Sequence, residues 1–174
     1  MVGTKALVES APDGYTIMIS TSSWLTSAAV RKPDFDPVSK ITPIVEVGFN
    51  PFVLAVHPSL PVKTTKQLIA LAQKRPNELA YGQPGVGSIT HLSMEYLLDQ
   101  ANVKMLAIPY KSGSAVMPDV IAGRTQLIFA GQVNVMPHAK SGRLRLLGIS
   151  SAKRAKTLPD VPPLHETIPG YTIV

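Results

Sequence analysis

The residues best suited to chemistry lie in one glycine-rich segment, which reads Tyr-Gly-Gln-Pro-Gly-Val-Gly-Ser-Ile-Thr-His-Leu from Tyr81 to Leu92. Glycine lets a ligand approach the main chain closely, and the N–H groups and dipole of a helix beginning at Ser88 favour an anion. The segment therefore predicts a carboxylate site, although phosphate would satisfy the same donors. A tight turn capped by Ser88 is the structural alternative. The residues expected to contact ligand are Gln83, Gly85, Val86, Gly87, Ser88 and Thr90.

The same segment does not fit a nucleotide site. No Gly-Lys-Ser/Thr follows it, as a phosphate-binding loop of the Walker type requires. Gly85 and Gly87 also lack the third glycine and the downstream acid of a dinucleotide site.

Further polar loops are predicted to follow other strands. Ligands in open α/β sheets bind outside the carboxyl ends of the strands, so we expect these loops to converge on one edge. Their candidate residues are Ser20, Thr21, Ser22, Tyr110, Lys111 and Gly131. Tyr110 would pack against the ligand and Lys111 would supply charge, whereas a solvated Lys111 is the alternative.

Catalytic and metal-binding patterns are weak in this sequence. The four histidines are scattered without metal-ligand spacing, and the chain has no cysteine. Ser88 and His91 lie three residues apart, but they lack the sharp turn and the orienting acid of a nucleophile and base. We predict a binding protein without metal or cofactor rather than an enzyme.

The order of apolar runs predicts an α/β protein, because short strands alternate with amphipathic helices. The predicted strands are residues 15–19, 44–56, 79–81, 105–108, 127–130 and 144–150. The predicted helices are one capped by Thr64 or Thr65 and ending before Pro76, residues 88–100, residues 115–122 and a short one through His138. Residues 31–43, with three prolines, are predicted to be a connector.

The composition indicates a folded piece, with 45% hydrophobic and 16% charged residues in 174. The net charge of +6 raises the question of nucleic acid, but the cations are scattered at element ends and in loops, so a solvated basic surface is the better interpretation. No apolar run is long enough to cross a bilayer, and no export signal is expected at Met1.

A series of short motifs covers nearly the whole chain. They are Ala11-Pro-Asp-Gly-Tyr-Thr16, Phe35-Asp-Pro37, His57-Pro-Ser-Leu-Pro61, Tyr81-Gly to Gly87-Ser88 with His91-Leu92, Pro109-Tyr-Lys111 with Gly113, Gly142-Arg-Leu-Arg145, Ser151-Ala-Lys-Arg154, Leu158-Pro-Asp-Val-Pro162 and Pro169-Gly-Tyr171. In this order and spacing, the sequence resembles the Bug or TctC-like receptors of tripartite tricarboxylate transporters.

The resemblance implies a two-lobed, flytrap-like fold of the periplasmic-binding-protein type II class, which closes on its ligand. By this mapping, residues 1–50 and 148–174 belong to a first lobe and residues 51–147 to a second. It also implies a receptor that captures a small carboxylate and delivers it to membrane components of a transporter. The full-length form would be periplasmic.

Two departures from the family pattern carry expectations. The family's signal peptide, first strand and Pro-Gly-Gly loop have no counterpart here, nor do the helices after the final Pro-Gly-Tyr. We therefore expect an incomplete first lobe whose apolar edges invite oligomerisation. Ala130 stands where relatives often carry an acid, which favours a ligand without an amino group.

Two alternative functions remain open at this stage. A ligand-sensing domain of a transcription regulator uses the same two-lobed architecture. A hydrolase using Ser88 and His91 is the less favoured alternative.

Overall fold

The computed structural model describes residues 2–31 and 34–173. Its contacts divide the chain into two units. The first comprises the residues up to Val47 together with Gly87–Ile89, and the second comprises Gly48–Val86 and the chain from Thr90 onward. No helix within the described ranges is long and apolar enough to cross a membrane.

The elements follow one another in a simple order. The helices are α1 (Val2–Glu9), α2 (Ser23–Arg31), α3 (Pro37–Lys40), α4 (Thr65–Lys74), α5 (Ile89–Gln100), α6 (Gly113–Ile121) and α7 (Gln132–Lys140), with a 3₁₀ turn at Leu164–Glu166. The strands are β1 (Phe52–Val56), β2 (Ala80–Gln83), β3 (Leu106–Pro109), β4 (Leu127–Gly131) and β5 (Arg145–Ile149).

The five strands form one mixed sheet in the order β3-β2-β4-β1-β5. Strands β2, β3 and β4 are parallel, whereas β1 runs antiparallel to both β4 and β5. The predicted α/β class is confirmed. Because α4 to α7 each lead from one strand into the next, the helices cover the sheet and the parallel strands end at a common edge.

The central strands β1, β2 and β4 are buried on both faces of the sheet, whereas the edge strand β3 is exposed. On one face Leu54 and Phe129 pack with residues of α4 and α5. On the other face Val53, Ile128 and their neighbours pack with residues of α6 and α7. The sheet is therefore the rigid support on which the loops at its edge stand.

Helix α4 shows why the helical predictions in this unit hold. Its buried residues Leu68 and Ala72 lie four residues apart on one face. The Thr64 hydroxyl caps the helix by accepting a hydrogen bond from the Gln67 N–H at 3.2 Å, which confirms Thr64 as the cap. Thr65 instead donates to the Leu147 carbonyl at 3.0 Å.

The strand predicted at Tyr15–Ile19 is wrong in this structure. These residues form no strand, and Tyr15 and Ile19 are 93% and 88% exposed. The main chain of residues 16–19 makes no hydrogen bond to any described residue. A β-propensity run becomes a strand only when another strand pairs with it, and no strand of the described residues pairs with this run.

The long strand predicted at residues 44–56 is also corrected, because only Phe52–Val56 forms a strand. Residues 44–47 belong to no helix or strand and are exposed, with Val47 at 84%. The predicted connector 31–43 contains the short helix α3, capped by Asp36, while Lys32 and Pro33 lie outside the described residues. Helices α1 and α2 were not predicted.

The C-terminal segment packs within the second unit. Leu164, Ile168 and Tyr171 are buried in its core, and the Tyr171 hydroxyl donates to the Ser93 carbonyl at 2.9 Å. The sequence assigned residues 148–174 to the first lobe and residues 51–147 to the second. That lobe boundary stays a prediction.

Candidate ligand-binding site

The loops that follow β2, β3 and β4 lie at one edge of the sheet. The three strands are parallel, and Gln83 at the end of β2 pairs with Pro109 at the end of β3. The prediction that these loops share an edge is therefore confirmed for the residues of the second unit. Ser20, Thr21 and Ser22 lie in the first unit, where they are exposed and directly precede α2.

The glycine-rich loop needs glycine at two positions. Gly85 and Gly87 have φ of +89° and +78°, a left-handed conformation that other residues rarely adopt. The Gly85 N–H donates to the Gln83 carbonyl at 3.0 Å, so it closes a turn. Gly87, Ser88 and Thr90 also interact with other residues. The expected row of free main-chain donors is therefore wrong at Gly85, whose N–H is engaged in the turn.

Gln83 is the best-placed donor that the structure reveals. The residue is only 5% exposed, and its carboxamide makes no hydrogen bond to a described residue. Among the described residues, the polar side-chain atoms that are fully buried without a hydrogen bond do not include those of Gln83. The unpaired carboxamide of Gln83 is therefore accessible to solvent. An unpaired polar group of this kind gains free energy from a polar ligand.

Tyr110 and Lys111 follow β3 at the same edge. The Tyr110 N–H donates to the Gln83 carbonyl at 2.8 Å, and the Tyr110 hydroxyl donates to Asp119 Oδ2 at 2.7 Å. Burial, with the hydrogen bond to Asp119, raises the pKa of Tyr110. Lys111 is exposed, and Ser112 caps α6 by accepting from the Ala115 N–H at 3.3 Å. The loop is thus held by its tyrosine while its lysine is free to reach a ligand.

Gly131 ends β4 beside two asparagines that the sequence analysis missed. A Cβ on Gly131 would lie 2.6 Å from Asn50 Nδ2 and 3.8 Å from Asn134 Nδ2. Neither carboxamide makes a hydrogen bond to a described residue. Asn134 could have been found from its position three residues after Gly131, whereas Asn50 is distant in sequence. Only strand pairing brings Asn50 to this edge.

The helix that follows the glycine-rich loop is fixed to the sheet by a polar link. The buried Tyr81 hydroxyl of β2 donates to the Glu95 carboxylate of α5 in a very short contact. Burial, and after it Glu95, raises the pKa of Tyr81. His91 Nε2 lies 3.7 Å from Glu95 Oε1. His91 is therefore directed along its own helix toward Glu95.

A cavity of about 430 Å³ lies at the opposite edge of the sheet, where β1 ends and β5 begins. Arg145 lines it, and its Nη1 donates to the carbonyls of Leu60 at 3.1 Å and Val62 at 2.7 Å. This guanidinium organises the loop after β1. The cavity is distant from the strand ends that carry the unpaired carboxamides, and we do not assign the ligand to it.

In the described ranges, no three His, Cys, Asp or Glu residues are grouped closely enough to hold a metal ion. The groups at the strand ends without a hydrogen bond to a described residue include the carboxamides of Gln83, Asn50 and Asn134 and the Lys111 ammonium. Carboxamide N–H groups and an ammonium can donate hydrogen bonds to an anion or to a polar oxygen ligand.

Solved structures define the class of the fold. The chain aligns with the R. palustris protein Rpa4515, solved with adipate, at a TM-score of 0.86 and 32% identity, over 99% of this chain and 58% of that one. It aligns with the periplasmic binding protein BugD at a TM-score of 0.86 and 26% identity, over 99% of this chain and 58% of that one. The architecture is that of periplasmic solute-binding proteins.

The sequence then places the chain within that class. Residues 1–173 match the model described as tripartite tricarboxylate transporter family receptor, and the chain belongs to this family. Protein BugT of Bordetella pertussis is 32% identical over 174 residues, which are 98% of this chain and 53% of BugT. The chain thus spans about half the length of the curated relatives it matches. The resemblance drawn from the motifs is confirmed.

Proposed function

We propose that this chain forms part of a solute-binding receptor, which captures a small organic carboxylate for a tripartite tricarboxylate-type transporter. Its full-length form would act in the periplasm and deliver the ligand to the membrane components of that transporter. Family membership supports the receptor role. The adipate found with Rpa4515, a protein 32% identical to this chain, supports a dicarboxylate as the first ligand to test.

The observation that carries the proposal is the unpaired carboxamide of Gln83 at the end of β2. A carboxylate oxygen accepts hydrogen bonds only, and the Nδ2 and Nε2 groups of carboxamides donate them. Asn50 and Asn134 offer two more such donors at the end of β4. Lys111 adds the positive charge that a carboxylate favours. Neutral donors and a single cation fit an organic acid better than a phosphate ester.

The predicted ligand contacts keep distinct roles in the proposal. Gln83 donates directly, Lys111 pairs with a carboxylate, and the glycines shape the loop around the ligand. Ala130, buried near the end of β4, offers no acid for an amino group, which favours a ligand without one. The remaining predicted contacts, which no observation tests, are Ser20, Thr21, Ser22, Val86, Ser88, Thr90 and Tyr110.

The test is calorimetry with adipate and a panel of di-, tri- and aromatic carboxylates on the full-length protein. Adipate or another member of the panel is expected to bind, and Gln83→Ala is expected to weaken that binding roughly tenfold, because a hydrogen bond to a charged group is lost. Gln100→Ala is the matched control, since Gln100 is exposed at the far end of α5.

Two outcomes would overturn the proposal. One is a folded protein that releases no heat with any carboxylate in the panel. The other is equal binding by the wild type and Gln83→Ala, which would place the ligand away from the end of β2.

We also propose that the exposed apolar segments of the first unit pair with a second copy of this chain. Residues 16–19 and 44–47 present apolar side chains and main-chain groups without hydrogen bonds to described residues. Tyr15–Ser20 contains no charge, glycine or proline, so nothing opposes its pairing with an identical segment.

Sedimentation of the 174-residue chain over a range of concentrations tests this association. We expect the wild type to form dimers or larger species and Ile17→Lys to shift the population toward monomer. Val133→Lys, which changes an exposed residue of α7, should sediment like the wild type. A wild-type chain that stays monomeric at all concentrations would contradict the pairing.

A further inference from the structure

Asp119 of α6 lies at the centre of a hydrogen-bonded chain that reaches the candidate site. Its Oδ2 accepts from the Tyr110 hydroxyl at 2.7 Å, and its Oδ1 accepts from Arg124 Nη1 at 2.5 Å. The Asp119 side chain is 27% exposed, whereas that of Arg124 is 71% exposed. Both carboxylate oxygens are therefore engaged, and the carboxylate bridges the loop after β3 to the residues that follow α6.

We propose that Asp119 is a positioning residue of the ligand-binding edge, which acts through Tyr110 to hold Lys111 beside Gln83. The inference rests on the proposed function and names a residue that the motifs did not suggest. Asp119 itself does not touch the ligand.

The geometry of Tyr110 supplies the mechanism. Its main-chain N–H is tied to the Gln83 carbonyl at 2.8 Å, and its side chain is tied to Asp119. These two links fix the residue directly before Lys111 at both its main chain and its ring. Without the second link, Tyr110 could rotate away from α6 and the lysine would sample many positions, at an entropic cost to binding.

The same geometry limits what Tyr110 offers the ligand. Its hydroxyl proton is committed to Asp119, and the carboxylate beside it would repel a ligand carboxylate. The raised pKa of Tyr110, caused mainly by burial, keeps that proton in place. The loop therefore contributes the Lys111 ammonium, and the Tyr110 ring contributes only packing.

The test measures the dependence of Lys111 on Asp119 in the full-length protein. Adipate affinity is compared for the wild type, Lys111→Ala, Asp119→Ala and the double variant. We expect Lys111→Ala to weaken binding about tenfold in the wild type and about twofold in the Asp119→Ala background, because the lysine is no longer positioned there. A purely stabilising role of Asp119 would leave the factor for Lys111 unchanged, and that result overturns the proposal.

Amide hydrogen exchange gives a readout that does not need a ligand. Asp119→Ala and Tyr110→Phe are each expected to speed exchange of the Tyr110 N–H roughly tenfold, and the double variant should exchange no faster than the singles. Asp99→Asn, at an exposed acid near the end of α5, serves as the control. If the wild type binds no carboxylate, the proposed function fails, and exchange still decides the positioning. Unchanged exchange in Asp119→Ala would exclude it.

Discussion

Each of the two units contains a largely apolar run of five residues, but the two runs differ in structure. Phe52–Val56 becomes a strand of the second unit, paired on one side with β4 and on the other with β5, and four of its five residues are fully buried. Tyr15–Ile19 of the first unit is also largely apolar, yet it forms no strand and is largely exposed, and its main chain pairs with none of the described strands.

The difference teaches that strand formation is a property of the partners as much as of the run. Both segments carry β-branched and aromatic residues that fit a pleated surface. In the second unit the neighbouring strands satisfy the main-chain groups, and helices cover the side chains. Among the described residues of the first unit, the regular elements are α1, α2 and α3, and a helix supplies no main-chain ladder to a neighbouring segment.

The largest expected effect comes from truncating a side chain in each run. Leu54→Ala, at a fully buried position of β1, should lower the free energy of unfolding by about 2–5 kcal/mol, because it leaves a cavity in the packed core. Ile17→Ala should change it by no more than about 0.5 kcal/mol, because Ile17 has little contact to lose. Urea unfolding followed by circular dichroism, at low protein concentration, measures both.

Equal losses of unfolding free energy in Leu54→Ala and Ile17→Ala would contradict the expected difference between the two runs. That result would mean that Tyr15–Ile19 is packed in solution, and a concentration dependence of the Ile17→Ala effect would trace the packing to a second copy.

A smaller effect is expected from adding one methyl group to a glycine in each unit. Gly82 of β2 lies against the Val116 side chain of α6, which a Cβ would overlap, so Gly82→Ala should destabilise by about 1–3 kcal/mol. Gly3 of α1 has open space around it, so Gly3→Ala should stabilise by up to about 1 kcal/mol through helix propensity. Thermal unfolding of both variants measures the signs. A neutral Gly82→Ala would show that the contact between α6 and the sheet is loose.

The sequence predicted the second unit well because its local signals agreed with its tertiary contacts. Helix α4 has a capping threonine and an apolar face, and the strands alternate with helices in the order a βα architecture demands. The sequence failed in the first unit for a physical reason. A run such as Tyr15–Ile19 reports propensity but contains no information about which strand pairs with it.

The candidate site was predicted in part for the same reason. Gln83, Tyr110 and Gly131 follow predicted strands, so the rule for sheet edges located them. Asn50 and Asp119, which we propose for the site, reach it through strand pairing and through side-chain contacts between distant segments. The prediction of free main-chain donors at the glycine-rich loop was also wrong at Gly85, because the Gly85 N–H donates to the Gln83 carbonyl within the turn.

The smallest expected effect is on the pKa values of two carboxylates, one in each unit. The hydrogen bond from the Tyr110 hydroxyl, and then the hydrogen bond from Arg124, lowers the pKa of Asp119. The hydrogen bond from the Val38 N–H lowers the pKa of Asp36, the cap of α3. Both contributions are present above the unfolded pKa of about 3.9 and are lost as the pH falls through the lowered folded values.

Carbon-13 NMR titration of the side-chain carboxyls measures both values, and the variants sharpen the comparison. Arg124→Ala should raise the pKa of Asp119 toward its ordinary range and leave that of Asp36 unchanged, because only Asp119 has a cation as a partner. Exchange of the Tyr110 N–H should accelerate as Asp119 becomes protonated, since the carboxylate that holds the tyrosine weakens as an acceptor. A Tyr110 N–H exchange rate that does not change through this titration would show that Asp119 does not hold the loop after β3. The difference in order between the two units would then come from the apolar core of the second unit alone.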